Sequence, residues 1–113
     1  MSTRFLNAHC IHQSGSPLDN ATIERNLAEL PEWTWDGARN ALVRTYRFAN
    51  YYETIAFINA LAWVIHREDH HPDLVVGYNR CEVAFSTHSV KGLSDNDFIC
   101  AAKANAVYAQ GRA

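Results

Sequence analysis

The sequence predicts an α+β domain in which a four-stranded antiparallel sheet carries three helices on one face. Three observations support this fold class. Two segments alternate apolar and polar side chains with the period of a strand, and each pairs with a neighbouring strand-like segment across a turn. Three further segments have the apolar period or the composition of a helix and begin at residues that cap helices. Along the chain the predicted order is α-β-β-α-β-β-α.

The first two helices are predicted from their capping residues. Asp19 is suited to cap the start of a helix, and Pro31 ends it. Asn50, followed three residues later by Glu53, resembles a capping box and opens a long helix to about Glu68. Apolar residues cover so much of this second helix that it is the clearest helical segment of the chain.

The last helix and the strands complete the domain. Ser94 and Asp97 resemble a capping box that opens an alanine-rich helix to about Tyr108. Pro72 marks the exit from the long helix, because the residue before a proline is disfavoured in helical torsions. The strands are predicted over residues 33–36, 41–48, 73–78 and 81–88.

Length and composition indicate one domain. The 113 residues are 48% hydrophobic and 19% charged, which excludes an intrinsically disordered chain. We divide the chain into a polar N-terminal arm, residues 1–17, and a single domain, residues 18–113. The arm contains His9, Cys10 and His12, but a loosely structured segment rarely fixes the geometry of metal ligands, so no metal site is expected there.

Charge and cysteine content restrict the partners and the compartment. The formal net charge is -2 and no run of Lys or Arg is present, so neither nucleic acid nor a membrane surface is an expected partner. The three cysteines are far apart, without a Cys-x-x-Cys pair, and no signal peptide is recognisable. Free thiols in a cytoplasmic protein are therefore expected.

Three of the six histidines are the candidate catalytic residues. His70 and His71 precede a proline at the helix exit, and His88 lies at the end of the last predicted strand. A zinc site is the rival interpretation, because three histidines and a water can form a catalytic metal centre. Adjacent histidines project differently from the backbone, and no His-Glu-x-x-His helix is present, so we predict no metal.

Several short motifs together resemble the signature of the pterin-4a-carbinolamine dehydratase family. They are residues 68–73 (EDHHPD), 78–79 (YN), 86–88 (STH) and 92–94 (GLS), followed by Asp97. The likeness extends more weakly to LAELPEW at 27–33 and to the first hairpin, and it covers about residues 18–108. Their order and spacing make the combination more specific than any one of them.

The resemblance implies a reaction and a set of site residues. The reaction is removal of water from a 4a-hydroxy-tetrahydropterin, which recycles the pterin of an aromatic amino acid hydroxylase and needs no cofactor. By resemblance, His70, His71 and His88 line the pterin pocket and Asp97 supports it. Some relatives carry Glu four residues before the His-His pair, where this chain has His66.

Two further residues are therefore candidates for substrate contacts. Either His66 or Glu68 is expected to contribute a contact in the pocket, and the two alternatives stay open. Tyr78, or one of the three tryptophans, is a candidate for covering the flat face of the pterin ring. Histidine suits the chemistry, since the leaving hydroxyl must gain a proton and a ring nitrogen must lose one near neutral pH. We expect His70 and His88 as the acid/base pair, in either order, and His71 as a positioning residue.

Two alternatives are kept beside this interpretation. A non-enzymatic interaction module is one, because the family includes a dimerisation partner of a transcription factor. A metal-dependent hydrolase is the other. The long helix also predicts a homodimer or homotetramer, since two apolar stripes are too many for one small sheet to cover. We expect Ile55, Ile58, Ala62 and Ile65 to face the core, and Phe57, Leu61 and Val64 to form the second stripe.

Overall fold

The computed structural model describes residues 3–111, in which four strands form one antiparallel sheet. The strands are β1 (Thr34–Asp36), β2 (Ala41–Arg47), β3 (Asp73–Val76) and β4 (Arg80–Phe85), in the spatial order β1-β2-β4-β3. The helices are α1 (Arg4–Asn7), α2 (Asn20–Leu27), α3 (Tyr51–Glu68) and α4 (Asp95–Gly111). The predicted fold class is confirmed, with three longer helices and the short α1 in addition.

One face of the sheet forms the core beneath the helices. The central strands β2 and β4 come from different hairpins, and they pair Leu42 with Phe85 and Tyr46 with Cys81. All four of these side chains are fully or almost fully buried. The alternate residues point to the other face, where Thr45, Arg47, Val75 and Arg80 are exposed. The helices therefore cover a single face, as a half-buried antiparallel sheet requires.

The predicted helix starts are confirmed by their capping contacts. Asp19 accepts a hydrogen bond from the Thr22 N–H at 2.8 Å, and Asn50 accepts one from the Glu53 N–H at 2.9 Å. The Glu53 carboxylate accepts from the Ala49 N–H, one residue earlier than in a standard capping box. Helix α2 ends at Leu27, three residues before the predicted end, because the chain tightens into turns ahead of the proline.

Helix α3 turns a different face to the core from the one predicted. Phe57 and Leu61, which we assigned to the outer stripe, are buried in the core. Ala62 is exposed, and Ile58 and Ile65 only flank the core, so the predicted core stripe was wrong. In a helix that is apolar over most of its circumference, the helical period does not identify the side that meets the sheet.

The N-terminal arm is anchored more firmly than its polar sequence indicated. Phe5 in α1 is buried and stacks on Phe98 of α4 with ring centroids 5.6 Å apart. The Lys103 ammonium donates to the Leu6 carbonyl at 2.8 Å. The expectation of a loosely structured segment was therefore wrong for this part of the arm, whereas the domain boundary after residue 17 stays a prediction.

Across residues 3–111, none of the helices is both long enough and apolar enough to cross a membrane.

The observed core face of α3 gives a stability prediction. Leu61 is 0% exposed, so Leu61→Ala should lower the free energy of unfolding by about 2 to 5 kcal/mol through lost burial and the cavity left behind. Leu6→Ala is the matched control, because the Leu6 side chain is 36% exposed and should cost less than about half as much. Urea unfolding followed by circular dichroism measures both. Equal costs would contradict the observed packing of α3.

Candidate active site

A cleft of about 340 Å³ lies where α3 ends and the chain leaves β4. Three stretches of chain line it, residues 68–71, residues 86–89 and residues 10–13 of the arm, together with Asn96 of α4. His70, His71 and His88 all line this cleft. The three histidines that the sequence singled out are thus brought together, although 17 positions separate His71 from His88 along the chain.

The end of α3 places the histidine pair. Asp69 adopts a left-handed conformation with φ of 52°, which a non-glycine residue adopts at a helix end at some cost. Its N–H donates to the His66 carbonyl, and the His70 N–H donates to the Ile65 carbonyl. These contacts close the helix and turn the chain, so that His70 and His71 leave α3 at the cleft.

His88 does not extend β4 as predicted. The strand ends at Phe85, and His88 begins a 3-10 turn, His88–Val90, so the predicted strand over residues 81–88 was too long. The turn is closed by Thr87, whose N–H donates to the Gly92 carbonyl at 2.8 Å. Side-chain alternation continues past Phe85 in the sequence, and it gives no sign that backbone pairing has stopped. The exposed His88 ring lies 6.4 Å from the His71 ring, between centroids.

A buried carboxylate orients His70. Asp97 is 0% exposed, and its Oδ1 lies 2.7 Å from His70 Nε2. Its other oxygen accepts from the Thr87 hydroxyl at 2.8 Å and from the Ser94 N–H at 2.9 Å. Because an ionised carboxylate only accepts, His70 donates through Nε2, and Nδ1 is the nitrogen left for chemistry. The ring also lies nearly parallel to that of Phe85, at 6.0 Å and 12°.

Of the two open candidates next to the pair, Glu68 lines the cleft and His66 does not. The Glu68 carboxylate accepts from the Cys10 N–H at 2.7 Å and lies 2.9 Å from His9 Nδ1. Burial by itself raises the pKa of Glu68, but the Cys10 N–H, His9 and the Lys103 charge outweigh it and hold this pKa below its usual value. The carboxylate is therefore engaged with the arm.

The structure does not bring Tyr78 into the cleft. This side chain is 65% exposed and stacks on Tyr51 at the start of α3, with ring centroids 6.5 Å apart. It lies in the β3–β4 turn, at the end of β4 opposite to the histidines. His66 is likewise exposed beside Trp63. Neither Tyr78 nor His66 lines the cleft that contains the three candidate histidines.

Sequence reasoning missed the contribution of the arm and of Asn96 to the cleft. The arm has no motif and no periodicity that would predict a place in the cleft. Its cluster of His9, Cys10 and His12 suggested only a possible metal site. In the structure His9 pairs with Glu68 while the Cys10 thiol lies 3.6 Å from the Cys100 thiol. Within residues 3–111, no three His, Cys, Asp or Glu side chains are arranged to hold a metal ion.

Comparison with known proteins agrees with the motifs around the cleft. The family model described as pterin 4 alpha carbinolamine dehydratase matches residues 16–107. The chain belongs to this family. A relative from Xanthomonas oryzae pv. oryzae, provisionally named a pterin-4-alpha-carbinolamine dehydratase, is 56% identical over 106 residues, which cover 92% of this chain and 90% of the relative. A relative from Xanthomonas campestris pv. campestris with the same provisional name is 54% identical over the same lengths.

Solved structures extend the comparison within the pterin-4a-carbinolamine dehydratase fold. A transcriptional coactivator/pterin dehydratase from Brucella melitensis superposes with a TM-score of 0.77 at 29% identity, covering 81% of this chain and 98% of that one. A pterin dehydratase-like protein described as a RuBisCO assembly factor of the alpha-carboxysome gives 0.60 at 22% identity, covering 68% and 89%. The second likeness shows the shared fold alone.

The Asp97 contacts predict a change of tautomer in Asp97→Asn. The Ser94 N–H can only donate, so the amide oxygen of the substituted side chain should face it and the amide NH₂ should face His70. His70 must then accept through Nε2 and carry its proton on Nδ1. Nitrogen NMR of the histidine rings distinguishes the tautomers. Asp95→Asn, which changes an exposed carboxylate in the same helical turn, is the control and should leave His70 unchanged.

Proposed function

We propose that this protein dehydrates 4a-hydroxy-tetrahydropterin to quinonoid dihydropterin by histidine acid/base catalysis. Family membership supports the reaction class, and the proposal for the residues depends on one observation, the Asp97–His70 pair in a cleft shared with His71 and His88. The cleft volume of about 340 Å³ falls at the lower end of the range for small-ligand pockets. A bicyclic pterin is a ligand of that size class.

The reaction requires two proton transfers. The bond between C4a and its hydroxyl oxygen breaks as that oxygen gains a proton and leaves as water. The neighbouring N5 loses its proton, and an electron pair on N5 forms the C4a–N5 double bond. No electrons are exchanged with a second substrate, so two groups of near-neutral pKa suffice.

The geometry favours His70 as the base and His88 as the acid. Asp97 accepts a hydrogen bond from the Nε2–H of His70, which leaves the Nδ1 lone pair to accept the proton from N5. The buried carboxylate then stabilises the imidazolium that forms. His88 is exposed, so it can regain a proton from solvent after each turnover. His71, with its ring beside His88, is proposed to position the substrate.

The cellular role follows from the same proposal. We propose that the substrate is produced by an aromatic amino acid hydroxylase, which releases its pterin in the 4a-hydroxy form, and that the protein works in the cytoplasm. The three cysteines, all free in the structure, fit a reducing compartment. An interaction module without catalysis is the alternative, and the histidine variants decide between the two.

A homo-oligomer is proposed from the outer face of α3. Tyr52 and Trp63 on this face are 82% and 70% exposed, with the exposed Ala56 and Ala60 between them. At these spacings the four residues form one continuous line along the helix. An apolar line of this kind is typical of a surface that a second subunit covers.

The histidine roles predict a pattern of losses. His70→Ala and His88→Ala should each slow the reaction by about 10² to 10⁴, the range of general acid/base catalysis. The double variant should lose less than the product of the single losses, because both groups act in one transition state. His71→Ala should raise KM more than it lowers kcat.

The assay follows the lifetime of the 4a-hydroxy intermediate by absorbance in a coupled hydroxylase reaction. His66→Ala is the matched control, because His66 is exposed and outside the cleft, and it should keep near-full activity. Circular dichroism checks that each variant is folded. Near-full activity of both His70→Ala and His88→Ala would overturn the catalytic proposal in favour of a scaffold.

The oligomer proposal is tested with Trp63→Glu. Leu61→Glu, which the sequence favoured, is unsuitable because Leu61 lies in the core. A charge at the exposed Trp63 should lower the mass measured by light scattering, since it would be buried against the partner. Asn20→Glu adds the same charge to an exposed position of α2 and should leave the mass unchanged. A monomeric wild-type protein would refute the proposal.

A further inference from the structure

Residues 10–13 of the arm form one side of the cleft, although the family match begins only at residue 16. They line the same cleft as the stretch that carries Thr87 and His88 and as the pair His70 and His71. Ile11 and His12 are exposed and Gln13 is half-buried. The arm therefore presents one apolar and two polar side chains at the rim of a cleft whose other residues come from the family domain.

Two buried polar side chains hold the backbone of this stretch. The Asn96 amide accepts from the Ile11 N–H at 3.2 Å and donates to the Ile11 carbonyl at 2.7 Å. Glu68 accepts from the Cys10 N–H on one carboxylate oxygen and contacts His9 on the other. Asn96 and Glu68 are both buried, so their polar groups need partners, and the arm supplies them.

Most of these contacts hold the backbone of the arm, not its side chains. Apart from the His9 contact, they bind main-chain groups of Cys10 and Ile11 and so do not depend on the side chains of these two residues. Phe5 anchors the arm on α4 at a point several residues earlier. The segment between this anchor and the cleft is therefore fixed at both ends.

We propose that residues 10–13 are a substrate-contacting wall of the cleft and that Glu68 and Asn96 are positioning residues that hold this wall in place. The identity of the substrate as a pterin rests on the function proposed above. Glu68 then acts on the substrate through the arm, not by direct contact. Residues 10–13 line the cleft but are not among the proposed acid/base residues, so release of the arm should weaken substrate binding more than it slows the chemical step.

The chain carries a reporter for the position of the arm. Cys10 is half-buried, with its thiol 3.6 Å from that of Cys100 and 3.7 Å from the Asn96 carbonyl oxygen. Cys81 and Cys100 are buried. Alkylation of Cys10 by iodoacetamide, measured by peptide mass spectrometry, should therefore be slow while the arm is in place and faster when it is released.

The first experiment measures alkylation without pterin. In Asn96→Ala, which removes both contacts with Ile11, Cys10 should react about tenfold faster than in the wild type, because local opening becomes easier. Glu68→Gln should accelerate it less, since its amide oxygen can still accept from the Cys10 N–H. Asn20→Ala and Glu24→Gln make the same chemical changes at exposed positions of α2 and should have no effect. Wild-type rates in both cleft variants would overturn the positioning role.

The second experiment adds 7,8-dihydrobiopterin, a pterin without a leaving hydroxyl, and measures its binding by calorimetry. Bound pterin should slow Cys10 alkylation several-fold in the wild type. In the dehydration assay, Asn96→Ala should raise KM about tenfold and change kcat less than about twofold, the pattern of lost uniform binding. The substrate-contacting role of residues 10–13 would be overturned if 7,8-dihydrobiopterin binds without slowing Cys10 alkylation and Asn96→Ala leaves KM unchanged.

Failure of the proposed function gives a different result. If 7,8-dihydrobiopterin does not bind and the wild-type protein does not shorten the lifetime of the 4a-hydroxy intermediate, the pterin function is overturned, and the substrate-contacting role with it. The alkylation rates without pterin still decide whether Glu68 and Asn96 hold the arm. The two proposals can therefore fail separately.

Discussion

The buried carboxylate of Asp97 connects the fold to the site. It joins the exit of α3 through His70, the chain after β4 through Thr87 and the start of α4 through Ser94. An anion without exposure is costly unless every lone pair that faces protein is used, and here three donors meet it. Its place in the first turn of α4 adds the favourable field of a helix N-terminus. The contacts that close the fold at this point thus also set the tautomer of His70.

Glu68 makes a comparable connection on the other side of the cleft. Asp97 ties together parts of the family domain, whereas Glu68 ties that domain to the arm through Cys10 and His9. Lys103 lies 3.8 Å from the same carboxylate and also donates to the Leu6 carbonyl, so one ammonium group contacts both the arm and the carboxylate that binds it. Asp97 therefore contacts one of the histidines, and Glu68 contacts the stretch of the arm that lines the same cleft.

The apolar side chains of helix α3 lie on two sides of the helix, one buried and one exposed. Phe57 and Leu61 fill the core above the sheet, and Tyr52 and Trp63 remain on the outside. A four-stranded sheet covers only one side of a helix, so the second side is left exposed in a single chain. This division keeps the proposed subunit contact on the outer face of α3, whereas the histidine cleft lies at its C-terminal end.

The sequence by itself determined the class of the fold and the starts of the long helices, and its family resemblance pointed to the three histidines that the structure brings into one cleft. Each depends on local chemistry: Asn50 caps with its own side chain, β2 alternates side chains, and a helix ends before Pro72. Only the tertiary structure decided that Leu61 faces the core, that β4 stops at Phe85, that Tyr78 lies away from the cleft, and that Glu68 contacts the arm. These outcomes depend on contacts between residues far apart in the chain, and neither a helical period nor a local motif records which distant segment will be the partner.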